Sequence, residues 1–275
     1  MPPFDDTHAH LDRAEFAGDF SQVLERARAA GVSRIITVGT SLASSQSALD
    51  LCARHPGLFA AIGWHPTDVL EAPDDIRPAL RKLARRPRVV AIGEIGLDHY
   101  RWPSAEPGGT TTADDRYRRK QADLFQQQLE VAVETGLPCI IHQRNALEAT
   151  LAQYAPFAGR VRGVMHCFVD DAAAARRWLE LGGLVSFTGI VTFKNGQLVR
   201  DTVASLSLGQ FLLETDCPFL APAPHRGQRC EPAHVVATAQ AVAAVKGCSL
   251  ADLSAATAAA ADQFFHEFKT QDWRL

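Results

Sequence analysis

A (β/α)8 barrel is the fold that this sequence of 275 residues predicts, and three observations lead to it. Eight short β-branched or aliphatic runs alternate with stretches of helical period. The length suits such a barrel, typically about 250 residues, better than two separate domains. The side chains able to do chemistry fall at the carboxyl ends of the runs, the face where a barrel carries its active site.

The first run covers residues 4–10 and ends on a histidine pair; an amphipathic stretch at 20–30 follows it. Run two (34–39) is nearly all β-branched and leads into helical period at 44–54. Run three (58–64) closes on Trp64, before a helical stretch at 73–85. Run four (89–97) carries Glu94 and precedes the longest helical stretch, 114–135. Runs five (138–144), six (163–168) and seven (184–189) are followed by helical stretches at 146–153, 170–181 and 195–206. After run eight (211–216), residues 231–246 and 249–269 read as two alanine-rich closing helices. No composition break interrupts the chain, so residues 1–275 are expected to be a single barrel domain.

Hydrophobic residues make up 47% and charged ones 21%, which fits a globular protein with a sizeable core. The start, from Met1 through two prolines to Asp5 and Asp6, lacks the apolar region of a secretory signal. No apolar run approaches the ~20 residues that cross a bilayer, so a cytoplasmic protein without membrane partners is expected. The six cysteines include no C-x-x-C pair and read as reduced, packed thiols. Cys167 and Cys217 each follow a candidate ligand, and alternation should turn them away from it.

His8 and His10 are one residue apart on a strand, so both project to the same side. Glu94 lies late in run four, His142 near the end of run five, His166 in run six, and Asp216 at the end of run eight. With His65 after run three, five of the ten histidines crowd one rim. One strand-end histidine usually means packing; six such groups at matching positions would carry a large desolvation cost without a metal. Imidazoles and carboxylates without thiolate suit zinc, manganese, iron or cobalt, and magnesium less naturally. Six ligands exceed one tetrahedral catalytic zinc, whereas two ions sharing a carboxylate would use them all.

These residues, with Asp6-Thr7-His8-Ala9-His10-Leu11-Asp12, Gly63-Trp64-His65-Pro66, Gly93-Glu94-Ile95-Gly96-Leu97-Asp98, Met165-His166-Cys167-Phe168 and Glu214-Thr215-Asp216-Cys217-Pro218, make the chain resemble the TatD family of metal-dependent hydrolases over nearly its full length. The resemblance implies a TIM barrel and phosphodiester hydrolysis, typically of DNA, with two divalent ions (magnesium, manganese or zinc). It implies that His8, His10 and Asp216 hold one metal, His142 and His166 the other, and that Glu94 bridges them. Asp216 is the candidate general base and, with Glu94, the catalytic pair. The family's Gly-x-His-Pro pattern implies that His65 contacts substrate phosphate. Glu214, two residues before Asp216, should face the same way and hydrogen-bond a ligand histidine or join a buried ion pair.

A net charge of −3 and an isoelectric point near 6.4 do not make the molecule a general magnet for nucleic acid. Local cations must serve: Arg101, Arg116, Arg118, Arg119 and Lys120 after run four, Lys194 after run seven, and Arg226 and Arg229 after run eight. Arg226 is the best candidate for phosphate; Arg144 could meet phosphate or turn to the helical layer. Glu106, Asp114, Asp115 and Glu231 break any continuous positive patch, and Arg85, Arg86 and Arg88 fall at the opposite barrel end. His99, Gln143, Asn145, His225 and Cys230 depart from the family's tyrosine, serine, aspartate, tyrosine and asparagine, and the stretch from Pro103 to Asp115 is longer than usual. The resulting expectation is a 3′–5′ exodeoxyribonuclease with DNA as its partner. The alternatives are a hydrolase for a lactone or aminoacyl ester, and a barrel that binds without turnover.

Overall fold

The structure, a computed structural model, describes residues 2–105 and 110–265. Its eight strands are parallel and follow chain order around the barrel: β1 (Phe4–Ala9), β2 (Val32–Val38), β3 (Leu58–Ile62), β4 (Val89–Asp98), β5 (Cys139–Arg144), β6 (Gly163–Met165), β7 (Leu184–Phe187) and β8 (Phe211–Leu213). The helices between and after them are α1 (Phe20–Ala30), α2 (Leu42–Arg54), α3 (Arg77–Ala84), α4 (Thr111–Thr135), α5 (Leu147–Tyr154), α6 (Ala172–Glu180), α7 (Gln197–Ser205), α8 (Val235–Lys246) and α9 (Leu250–Phe264). This is the expected (β/α)8 barrel. The end of the second closing helix, 266–269, lies outside the described residues, as does Glu106. Among the described residues no helix is long and apolar enough to cross a membrane.

Differences from the sequence reading sit at element ends. Helix α3 starts at Arg77 and not at 73, because Pro78 belongs in a first turn, where its missing N–H costs nothing. Strands β6 and β8 stop at Met165 and Leu213, short of His166 and Asp216. Cys167 (φ 47°) and Asp216 (φ 58°) adopt left-handed backbone, so strict alternation does not aim the side chains there.

The barrel closes without a full ladder between β8 and β1. One bridge pairs Ala9 with Cys217, His10 N donates to Cys217 O (2.8 Å), and Asp216 N donates to His8 O (2.9 Å). Thr7 Oγ1 adds a bond to Leu213 O (3.1 Å). The seam therefore runs through the histidine pair, and closing the barrel sets the pair beside Asp216.

Ile36, Phe59, Val90, Ile140, Val164 and Leu212 form one apolar cluster with Phe264 and Phe265. Arg34 at the start of β2 pairs with Asp262 (2.6 Å), which ties α9 to the amino-terminal end of the barrel. The barrel interior is thus filled and plugged below, as small barrels require, and its polar residues collect above. Arg88 also serves that lower end, donating to His55 O (2.9 Å) and Cys52 O.

Candidate metal centre

The β1 side of the centre is built by the seam. Asp6 is fully buried and accepts from Thr215 N (2.9 Å), Thr215 Oγ1 (2.6 Å) and His8 N (3.3 Å). Burial, only partly offset by these donors, pushes its carboxyl up to about 8. His10 Nδ1 lies 3.0 Å from Val38 O, an acceptor only, so Nδ1 carries the proton and Nε2 keeps a lone pair in the neutral ring. His8 Nε2 sits 3.2 Å from His10 Nε2, and Asp216 Oδ1 lies 3.4 Å from His10 Nε2 and 3.7 Å from His8 Nε2.

Glu94 stands in the middle, and its two oxygens face different partners. Oε2 lies 3.3 Å from His8 Nε2 and 3.5 Å from His10 Nε2. Oε1 lies 2.8 Å from His142 Nδ1, 2.8 Å from His166 Nε2 and 3.1 Å from His65 Nε2. Three sets of donor atoms result, each within 4.8 Å: His8, His10 and Asp216; His8, Glu94 and His166; His65, Glu94 and His142. The arrangement brings together all six residues that sequence reasoning proposed as ligands.

A buried carboxylate cannot keep its charge unaided. Burial alone would raise Glu94, yet His166, His65 and His142 outweigh it and hold the carboxyl well below its usual range. Burial disfavours the charged imidazoles, but Asp216 and Glu94 keep His10 up at about 8, and Glu94 with Glu214 lifts His166 well above an ordinary histidine. His8, buried next to His166, is pushed down. The cluster thus calls for positive charge around Glu94, while protonating every ring would set like charges about 3.2 to 3.4 Å apart. Divalent cations among nitrogen and oxygen lone pairs meet that demand, so the donor set fits metal ions.

On the β4–β6 side, carboxylates orient the rings. Asp98 Oδ2 lies 3.1 Å from His142 Nε2, so Nε2–H donates and Nδ1 keeps its lone pair toward Glu94. Asp98 Oδ1 accepts from Tyr100 N (2.9 Å) and Arg101 N (3.1 Å), and against the push of burial His142 first, then these donors, hold its carboxyl down to about 2. Gly96 makes the approach possible: a Cβ there would lie 2.1 Å from His142 O. Glu214 accepts from Cys167 N (2.7 Å) and Ser186 Oγ (2.6 Å). Its Oε1 lies 3.4 Å from His166 Nδ1, too oblique for a hydrogen bond.

His65 differs from the other imidazoles. Thr67 N–H donates to its Nδ1 (3.1 Å), so Nδ1 must accept and the neutral ring carries its proton on Nε2. That nitrogen faces His142 Nδ1 (3.3 Å), with Glu94 Oε1 3.1 Å away. The remaining candidates lie further out on the rim. Arg144 lays its guanidinium over Tyr100 (3.7 Å), and Arg226 lays its own over Phe193 (3.8 Å) with Nη1 on Ala221 O (2.9 Å). Arg229 is committed elsewhere, to Asp19 and Glu231 (2.7 Å each), and Lys120 to Asp74 (2.7 Å). Those two cations therefore add little to a phosphate-attracting rim.

Of the departures, Gln143 donates to Asp170 Oδ2 (2.7 Å), Asn145 takes a left-handed φ of 53°, and His99 stacks on Trp102 (5.4 Å). His225 stacks flat on His234 (4.0 Å), and Cys230 is buried. Cys217 is buried too, and Cys167 Sγ lies 3.7 Å from Thr188 Oγ1. Sequence reasoning missed the roles of Asp98 and Asp6. Both had a signal: Asp98 lies four residues after Glu94 and Asp6 two before His8, even spacings that share a strand face.

A barrel of eight parallel strands that gathers imidazoles and carboxylates where its strands end defines the class of metal-dependent hydrolases. Within that class the chain belongs to the TatD family: the family profile described as TatD related DNase matches residues 5–266. A metal-dependent hydrolase of Bacillus subtilis called YabD, itself uncharacterized, is 36% identical over 94% of this chain and 98% of its own. A protein of Erwinia tasmaniensis named as the 3′-5′ ssDNA/RNA exonuclease TatD is 33% identical over 95% of this chain and 99% of its own. The crystal structure of YJJV, a TatD homologue of Escherichia coli, superposes with a TM-score of 0.87 at 28% identity, covering 96% of this chain and 98% of that one.

Proposed function

We propose that this hydrolase is a phosphodiesterase with a two-metal centre, acting as a 3′–5′ exonuclease on DNA. The observation that carries the reading is the division of Glu94, one oxygen toward His8 and His10 and the other toward His142 and His166. In this reading His8, His10 and Asp216 would hold one ion, His142 and His166 the other, with Glu94 shared between them. Two divalent ions (magnesium, manganese or zinc), when bound, acidify the attacking water and offset charge on the phosphoryl oxygens.

The chain's own groups do the rest. Asp216 is the general base. Its side chain is 15% exposed, against 3% for Glu94, 2% for Asp98 and 1% for Glu214, so it alone of these carboxylates is open to the incoming water. His10 and His8 outweigh burial and keep it ionised, ready to accept a proton. As the water oxygen bonds to phosphorus and the P–O3′ bond breaks, Asp216 takes the water's proton and the departing 3′ oxygen gains one from solvent. A 5′-mononucleotide and a shortened strand result. His65 Nε2–H, fixed as a donor by Thr67, contacts a phosphoryl oxygen, and Arg226 and Arg144 meet phosphates further along. Glu214 holds the His166 loop through Cys167 N. Six free cysteines support the cytoplasm as its compartment.

The test is metal-stripped protein with end-labelled single-stranded DNA, with or without magnesium, manganese or zinc, beside Glu94→Ala. Metal-dependent shortening from the 3′ end, absent in the variant, is expected. No cleavage by protein that still binds two ions would move the reading to a lactone or aminoacyl ester.

A further inference from the structure

Two exposed aromatic rings stand on the rim beyond the imidazole cluster. Tyr100 follows β4 and is 56% exposed; Phe219 follows β8 and is 44% exposed. In a ring of eight strands in chain order, β4 and β8 lie across from each other, so the two rings follow strands on opposite sides of the barrel mouth.

Each ring is tied to one side of the centre. Phe219 N donates to Asp216 O (3.0 Å), and its ring centroid is 6.3 Å from that of His10. Tyr100 N donates to Asp98 Oδ1, whose other oxygen contacts His142. Each ring also carries a guanidinium: Arg13 sits over Phe219 at 5.0 Å and Arg144 over Tyr100 at 3.7 Å. Arg13 comes three residues after His10 and Arg144 two after His142, so the chain that supplies each imidazole also supplies the cation above it. An aromatic ring next to a guanidinium suits a flat nucleobase joined to an anionic backbone, and stacking of this kind tolerates any base.

We propose that Phe219 with Arg13 and Tyr100 with Arg144 form two platforms that each receive a nucleobase of the strand whose phosphate lies at Glu94. The proposal rests on the phosphodiesterase reading and adds to it the side chains that hold the bases. A lactone or an aminoacyl ester offers no second planar ring across the reacting bond.

The experiment measures affinity of the metal-loaded protein for a fluorescent single-stranded oligothymidylate and for a matched chain of abasic residues. Cleavage of both is followed in parallel. Wild type is expected to prefer the base-bearing chain by about 10-fold or more, since stacking on one ring is worth that much. Phe219→Ala and Tyr100→Ala should each shrink the ratio, and Tyr100→Phe should keep it. Melting temperatures confirm that the exposed substitutions leave the fold intact. Equal affinity of wild type for the two chains, or variants that leave the ratio unchanged, would overturn the platforms even if cleavage proceeds. So would failure to bind either chain. The expected ratios without cleavage under any metal would keep the platforms and sink the nuclease reading.

Discussion

The two sides of Glu94 hold similar imidazoles by different means. Toward β1 and β8, His10 is oriented by a neutral backbone carbonyl, Val38 O, and His8 Nδ1 has no hydrogen-bond partner among the described residues. Toward β4 to β6, a buried carboxylate hydrogen-bonds His142 and another lies against His166. A carboxylate behind an imidazole raises its basicity and fixes its orientation, whereas a carbonyl fixes orientation with little added charge. The difference teaches that one centre can offer two unequal positions, the more anionic one beside Asp98 and Glu214.

Removing the divider is the harshest way to break the comparison. Glu94→Ala should abolish paired metal uptake and lower activity by roughly 10³-fold or more, since several kcal/mol of charge stabilisation is lost at 1.36 kcal/mol per tenfold. Metal analysis beside kinetics would show it, and two ions retained per chain would contradict the bridging role.

Asp98→Ala acts on one side only. In the two-metal reading it should weaken one ion by about 10- to 100-fold, the usual effect of losing a ligand's orienting partner. Titration calorimetry would then resolve one weakened site and one intact. Equal weakening of both would show that the two sides are not separable. Glu214→Gln should do less, because its contact to His166 is oblique while its bonds to Cys167 N and Ser186 Oγ partly survive in an amide.

The smallest effect concerns the loop after β8. Burial, then the stacked ring of His225, lowers His234 to about 4, so the folded chain prefers it neutral. The unfolded chain takes up that proton near 6.5, the folded one only near 4. Stability from this group is therefore complete above about 6.5 and lost as the pH falls toward 4. His234→Gln should narrow the drop in melting temperature between pH 7 and 4.5, by about 2–4 °C for each kcal/mol relieved. An unchanged drop would show that His234 does not titrate in that window.

Much of the centre was legible because strands make it so. His8 on β1 and His10 one residue past its end still converge, and Glu94 and His142 lie on β4 and β5 as expected. Where the strands stop early, the same argument fails: His166 follows β6, and Asp216 reaches the centre through left-handed backbone beyond β8. Nor could spacing reveal that Arg229 is bound to Asp19, 210 residues away. The proton on His65 was equally hidden, being set by how the chain turns at Thr67.

The sequence alone determined the eight-unit barrel and the six candidate donors near its strand ends, because hydrophobic period and side-chain alternation are local properties of the chain. Only the tertiary structure decided which oxygen of Glu94 faces which imidazole, which ring nitrogen keeps its lone pair, and which arginines stay on the rim beside an exposed aromatic ring. Those depend on hydrogen bonds and packing between segments far apart in sequence, and they exist only once β8 has closed against β1.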